Sequence, residues 1–291
     1  MPQTPPLLIA GATGYGAWPE NTLEGARRCL AAPFDGFEID VQLTADDVVI
    51  AHHDYRLNPD QTRLLGGAWL TAPSAPLKTM TLDEVRRYDL GRSRPGSAVT
   101  ERYPGREQRD GIVAPTLPEL LEALSAAPGP RRLIYVEIKT DPTRPDEAPS
   151  PERVVDAVLR DLMAAALLDR AKLIAFDWQV LRLARERAPN VATAHLTIRH
   201  ARDLSELAVR SPWRDGYDAA GLGGSDIAAV KAHGGVEWSP HFTDITPARI
   251  AEAHAIGLRV GPWGLSKATD IRRMAELGVF SSTVSGAELP G

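Results

Sequence analysis

Gly36-Phe37-Glu38-Ile39-Asp40-Val41 is the stretch whose reading decides the fold. On a β-strand successive side chains point to opposite faces, so Phe37, Ile39 and Val41 share one face and Glu38 and Asp40 the other. The apolar face needs a covering layer. Comparable runs recur along the chain at Leu7–Gly11, Val48–His52, Leu133–Ile138, Lys172–Phe176, Val191–Leu196, Tyr217–Leu222, Gly235–Ser239, Leu258–Trp263 and Val279–Val284. Most are apolar on both faces, as strands of a covered parallel sheet must be.

Helical patterns fill the gaps. Asn21-Thr-Leu-Glu24 reads as a capping box ahead of Leu23, Ala26 and Leu30. Thr246-Pro247 opens a helix that Gly257 stops, and the stripe Ile271, Met274, Leu277 ends at Gly278. Helices also fit Pro151–Leu168, Trp178–Arg187 and Ser225–His233. About eight α/β pairs result, which predicts an α/β chain folded as a single (β/α)8 TIM barrel over residues 1–291. An open doubly wound sheet is the alternative. Gly11-Ala-Thr-Gly14-Tyr-Gly16 has the wrong spacing for a dinucleotide fingerprint, and no P-loop ending is present.

One segment breaks the rhythm. Residues 54–115 are rich in Pro, Gly, Arg and Asp, and only Leu82–Tyr88 looks helical. That is too long for an ordinary βα connection and predicts a small insertion after the second strand region, shaping substrate access at the barrel mouth.

Of 291 residues, 43% are apolar and 24% charged, enough for a sizeable core and against disorder. The net charge of −5, with acids and bases interspersed, gives no footprint for nucleic acid. No run approaches the ~18 apolar residues of a membrane span. The N-terminal Met-Pro-Gln-Thr-Pro-Pro lacks a charged region followed by a long apolar one, so a cytoplasmic location is expected. Cys29 is the single cysteine, which excludes an internal disulfide or a multi-cysteine metal site; its apolar helical flanks predict a buried thiol. Nothing in the sequence sets an oligomeric state.

Inside a barrel, Glu38 and Asp40 would point inward together. Two carboxylates at close range do not both stay ionised without compensation, and a hard divalent cation, magnesium or calcium, supplies it. Solvated acids at the end of an edge strand are the bland alternative. Tyr135-Val-Glu137-Ile-Lys139 sets Glu137 and Lys139 on one face of a later strand. Glu137 would complete a three-carboxylate site and Lys139 would hold an anion, which suggests a substrate carrying phosphate; a surface Glu–Lys pair is the other reading. In His52-His53-Asp54 only one imidazole can face inward, where it suits proton transfer near neutral pH. Packing of one histidine and solvation of the other would explain the same residues.

At this point the motifs meet a family pattern. Pro19-Glu-Asn-Thr22, Glu38-Ile-Asp40-Val, His53-Asp54-x-x-Leu57-Asn-Pro-Asp-x-Thr62-Arg63 and Glu137-Ile-Lys139 resemble the glycerophosphodiester phosphodiesterase family. Phe176-Asp-Trp178 and Gly261-Pro-Trp263 resemble its later strand-end motifs, and the similarity runs from about residue 7 to residue 284 in order. The resemblance implies a (β/α)8 barrel with an insertion after the second strand region. It implies a divalent metal held by Glu38, Asp40 and Glu137, proton transfer by His53, phosphate contact by Lys139, and a small-molecule phosphodiester substrate. In the family a neighbouring alcohol of the substrate attacks phosphorus, and water opens the cyclic phosphate.

The chain also departs from that pattern. The family's first strand ends in His-Arg-Gly, with the histidine eight residues before the proline of Pro-Glu-Asn-Thr; here that place is Gly11, followed by Ala12 and Thr13. Aligning the glycines instead puts Ile9 and Ala10 there. Loss of a positioned acid–base group typically lowers a rate roughly 10²–10⁴-fold. Three explanations follow: a substitute histidine, with His241 best placed and His195 behind it; a substrate that needs only one histidine; or a catalytically silent barrel that binds a phosphorylated or sugar-phosphate ligand. Gly-Leu-Ser-Lys follows Trp263, Ala175 precedes Phe176, and Phe280-Ser-Ser-Thr-Val-Ser285 lacks the usual aspartates, so the substrate end is rebuilt. Trp18, Trp178, Trp238 and Trp263 are candidates to line it, Trp263 as a substrate contact, with buried packing the default for each.

Overall fold

The two-faced run at 36–41 lies within a longer strand in the computed structural model, which describes residues 5–14, 16–126, 132–199 and 212–285. The described chain runs β1 (Leu7–Ala10), α1 (Leu23–Leu30), β2 (Gly36–Leu43), β3 (Val49–Ala51), β4 (Arg63–Leu64), α2 (Leu82–Val85), β5 (Tyr88–Asp89), α3 (Ala98–Arg102) and α4 (Leu117–Ala126). It continues through β6 (Leu133–Ile138), α5 (Pro151–Ala164), β7 (Ala171–Ala175), α6 (Trp178–Arg187), β8 (Ala192–Thr197), α7 (Asp226–Ala232), β9 (Glu237–Pro240), α8 (Pro247–Ala255), β10 (Arg259–Val260), α9 (Ala268–Glu276) and β11 (Ser281–Val284).

Eight parallel strands pair in the order β10-β9-β8-β7-β6-β2-β1-β11. Backbone hydrogen bonds complete the ring between its ends: Phe280 N–H donates to Val260 at 2.8 Å, Thr283 to Pro262 at 2.9 Å and Ser285 to Leu265 at 2.7 Å. The predicted (β/α)8 barrel is therefore what the chain forms.

Strand parity sorts the side chains. Phe37, Ile39, Val41, Ile134, Val136 and Ile138 face outward into one large core with the inner faces of α4 and α5. Ile9, Tyr135, Ile174, Ala194 and Leu196 fill the ring. Near the N-terminal ends of the strands the interior turns polar: Lys172 Nζ bonds both Glu237 oxygens at 2.7 and 2.8 Å and the Tyr135 hydroxyl at 2.8 Å. Trp178 and Trp238 belong to the outer core, whereas Trp263 packs against the ring interior. Cys29 is buried, donates to the Thr13 carbonyl, and has its thiol pushed up to about 12 by burial.

Three elements differ from expectation. The Val48–His52 run is not a stave: β3 folds back antiparallel on β2, with Val41 opposite Ala51 and Leu43 opposite Val49. The turn there is tight, with Asp47 at φ +58°. Tyr217–Leu222 is not a strand either; Ala219–Leu222 forms a 3-10 turn opened by Asp218 and stopped by Gly223 at φ +67°. Helix α4 was not anticipated, although Thr116 and Glu119 form its capping box: the Thr116 N–H donates to the Glu119 carboxylate and the Glu119 N–H to the Thr116 hydroxyl.

The 54–115 segment is folded, not loose. Leu57, Leu77, Met80, Val85 and Ala114 build a second small core on Ile50 of β3, and β4 pairs antiparallel with β5. It departs from the C-terminal end of the β2–β3 hairpin, at the mouth of the ring.

Candidate metal centre and active site

Side chains that share the inward face of β2 and β6 converge because the two strands run in register. Asp40 stands opposite Glu137 and Glu38 opposite Tyr135. One carboxylate oxygen from each of Glu38, Asp40 and Glu137 lies within 4.8 Å of the other two. Lys139 leans back into the group, its ammonium 2.8 Å from Asp40 Oδ1 and in contact with Glu137 Oε1. The cluster is nearly dry: Glu38 and Asp40 are buried, and the Glu137 and Lys139 side chains are only 12% and 11% exposed.

Neighbouring loops fix these carboxylates. Asn21, in the left-handed conformation (φ +52°) that asparagine tolerates, donates to Asp40 Oδ2 at 2.8 Å and accepts from the Asp40 N–H at 3.0 Å. Its own N–H bonds the Ala12 carbonyl, and the Ala12 N–H donates to Glu38 Oε2 at 2.7 Å. Ala12 and Thr13 both have left-handed backbones (φ +48° and +47°), a conformation unfavourable by roughly 1–2 kcal/mol for a non-glycine residue. Backbone strain is thus stored at the end of β1, beside the carboxylates.

The charges are unbalanced. Burial and the neighbouring Asp40 and Glu137 carboxylates push Glu38 well above the usual carboxylate range. Glu137 is also raised, by burial and by Asp40 against the opposing pull of Lys139. Burial raises Asp40 too, but Lys139, His53 and the Asn21 amide outweigh it and its pKa ends low. Lys139 ends above its ordinary value: burial depresses it and the three carboxylates more than compensate. Glu38 Oε1 is buried without a hydrogen-bond partner. Three oxygen donors facing one ammonium, with one oxygen orphaned, fit a hard divalent cation.

The two adjacent histidines lie just past the end of β3 and differ in exposure. The His52 N–H bonds the Asp40 carbonyl, and burial lowers its imidazole, whose Nε2 has no partner. His53 is the solvent-facing member, 58% exposed, with Nδ1 2.8 Å from Asp54 Oδ1; Asn58 in turn donates to Asp54 Oδ2 at 3.3 Å. Lys139 and partial burial press the His53 imidazole down, but Asp40 and Asp54 outweigh them and raise its pKa. Glu20, Asn21, Asp54 and Asn58 line a small cavity with both histidines.

His241 follows β9, four places round the ring from β2. Eight strands about 4.8 Å apart, tilted about 36°, make a ring roughly 15 Å across, so His241 rises from the wall opposite the carboxylates. Its Nδ1 meets Thr243 Oγ1 at 2.7 Å, its ring packs edge-on against Trp263 with centroids 4.7 Å apart, and burial lowers its pKa. Trp263 also meets Phe176 edge-on at 5.5 Å. His195 is elsewhere: it points out of the ring, bonding His233 Nδ1 at 2.8 Å beside Trp178. The sequence reading missed Asn21 and Asn58 as supports, although both lie inside the quoted motifs.

The fold and mouth define a TIM-barrel protein with a cation-competent acidic centre flanked by imidazoles. The chain belongs to the glycerophosphoryl diester phosphodiesterase family, whose profile matches residues 11–281 and whose named members are phosphoric diester hydrolases. A glycerophosphodiester phosphodiesterase of Caldanaerobacter subterraneus is 24% identical over 94% of this chain and 91% of its own. The crystal structure of a putative glycerophosphoryl diester phosphodiesterase from Silicibacter pomeroyi superposes with a TM-score of 0.85 at 32% identity, covering 100% of this chain and 92% of that one. An Oleispira antarctica phosphodiesterase, solved in complex with the product sn-glycerol-3-phosphate, shares the fold at 18% identity (TM-score 0.69, 96% and 92% covered). Among the described residues no helix is long and apolar enough to cross a membrane.

Proposed function

We propose that this single-domain barrel hydrolyses a glycerophosphodiester-like small molecule to an alcohol and a phosphomonoester, with magnesium or calcium held by Glu38, Asp40 and Glu137. The observation that carries the reading is the three-carboxylate cluster with the orphaned Glu38 oxygen. A bound divalent cation would supply Lewis-acid stabilisation of charge on the phosphoryl oxygens. Lys139 adds a fixed positive charge for the same oxygens.

Proton transfer falls to His53 and His241. With Nδ1 of His53 held by Asp54, its Nε2 is the nitrogen left to exchange a proton. The raised His53 and the lowered His241 have pKa values pushed apart, the pattern of an acid and a base working on opposite sides of one reacting atom. His53 then protonates the departing oxygen and His241 accepts the proton of the attacking hydroxyl. Trp263 packs against the alcohol portion of the substrate. The glycerol 3-phosphate in the Oleispira relative supports this substrate class, which belongs to lipid metabolism; the single buried thiol suits a reducing cytoplasm.

The alternative is a silent barrel that binds a phosphorylated ligand, favoured by the absence of a side chain at Gly11 and of a guanidinium at Ala12. A panel of glycerophosphodiesters with magnesium, calcium or manganese separates the two. Metal-dependent release of phosphomonoester is expected, with His53→Ala lowering kcat roughly 10²–10⁴-fold and Glu38→Gln abolishing metal binding in calorimetry. Ligand-induced stabilisation without product from any diester would leave only the binding reading.

A further inference from the structure

The end of β1 offers the mouth almost nothing. Gly11 has no side chain, Ala12 presents a methyl group, and the Ala12 N–H is already taken by Glu38 Oε2. The space in front of Gly11 is nevertheless filled. A Cβ placed on Gly11 would lie 2.7 Å from Ser285 Oγ and 3.0 Å from the Val284 carbonyl oxygen, so no side chain fits there while Ser285 keeps its position. Strand parity confirms where that hydroxyl points: Ser281, two pairs of residues earlier on β11, reaches into the ring, where a Cβ on Gly261 would meet its Oγ at 2.7 Å. The Ser285 backbone is pinned by its N–H to the Leu265 carbonyl, and among the described residues its hydroxyl makes no hydrogen bond.

We propose that Ser285 is a substrate-binding residue of this enzyme, its hydroxyl donating to a non-bridging phosphoryl oxygen from the β1–β11 side of the mouth, with Gly11 required to make room for it. The assignment rests on the phosphodiesterase reading above. A serine hydroxyl stays un-ionised at neutral pH, so Ser285 supplies binding and orientation and leaves acid–base work to the imidazoles. Because the contact is made equally to the bound substrate and to the transition state, it acts on KM more than on kcat.

Calorimetric titration of manganese and then sn-glycerol-3-phosphate into the full-length protein tests this. Ser285→Ala should leave manganese affinity unchanged and weaken sn-glycerol-3-phosphate about tenfold or more, the effect of losing a hydrogen bond to a charged group. Gly11→Ala should cause a similar loss by displacing the hydroxyl, and the double variant should be no worse than the more affected single one. KM for the best diester should rise in parallel while kcat stays within about threefold. Wild-type affinity in Ser285→Ala, or full additivity of the two substitutions, would overturn the assignment with the phosphodiesterase reading intact. A wild-type protein that binds manganese but no phosphomonoester would bring down both.

Discussion

Lys139 is the residue on which the carboxylate cluster depends for its compensating charge. Among the described residues its ammonium is the one cation paired with Asp40 and Glu137. Removing one partner of a buried ion pair destabilises a protein by roughly 3–5 kcal/mol, because charge is left uncompensated. Lys139→Met should therefore lower unfolding free energy by about that amount in EDTA, and millimolar magnesium or manganese should restore most of it. Equal losses with and without metal in urea titrations would show that no cation joins these carboxylates. Asn21 is a support for Asp40, and supports of this kind set metal affinity within roughly 10–100-fold; Asn21→Ala should fall in that range by calorimetry. The three carboxylates were legible in the sequence because a period of two dictates which side chains share a face. Asn21 was not, since its grip on Asp40 needs a left-handed residue and a contact across nineteen positions.

Elements follow the same division between local pattern and distant contact. Helix α6 formed over the residues its pattern predicted, with Asp177 as its N-cap accepting from the Gln179 N–H. What the pattern does not show is that Asp177 is buried against Thr140, at a cleft of about 470 Å³ lined also by Lys78 and Asp141. Burial pushes its pKa from 3.8 to about 6. A raised carboxyl contributes stability that is complete below the unfolded value and lost as pH rises through the folded one. Wild-type protein should thus lose on the order of 2–3 kcal/mol relative to Asp177→Asn between pH 4 and pH 7, read from urea titrations at both ends. Identical pH dependence in the two proteins would mean that Asp177 stays solvated. The misread elements have equally local causes. β3 carries a strand's composition, but the tight turn at Asp47 sends it back along β2 rather than into the ring. In the run ending Gly221-Leu-Gly-Gly224, Gly223 and Gly224 take positive φ and close a turn where a strand was expected.

For the molecule as a whole, the proposed chemistry sits at one end of the ring and a buried ion pair at the other. The carboxylates, His53, His241 and Ser285 stand at the C-terminal ends of the strands, where barrels carry their active sites. Lys172 and Glu237 close the other end, buried, bonded to each other and to Tyr135. Burial lowers Lys172, and Glu237 only partly restores it, so the pair tolerates no loss of its carboxylate. Glu237→Gln should cost about 3–5 kcal/mol of unfolding free energy while leaving kcat and manganese affinity of the folded fraction unchanged. Replacing both members together, Lys172→Met with Glu237→Leu, should recover much of the loss, since the only charge left without its partner is that of Arg259, which is half-exposed to solvent. If Glu237→Gln instead reduced kcat in fully folded protein, the two ends of the ring would be coupled, and the assignment of the chemistry to the mouth alone would have to be abandoned.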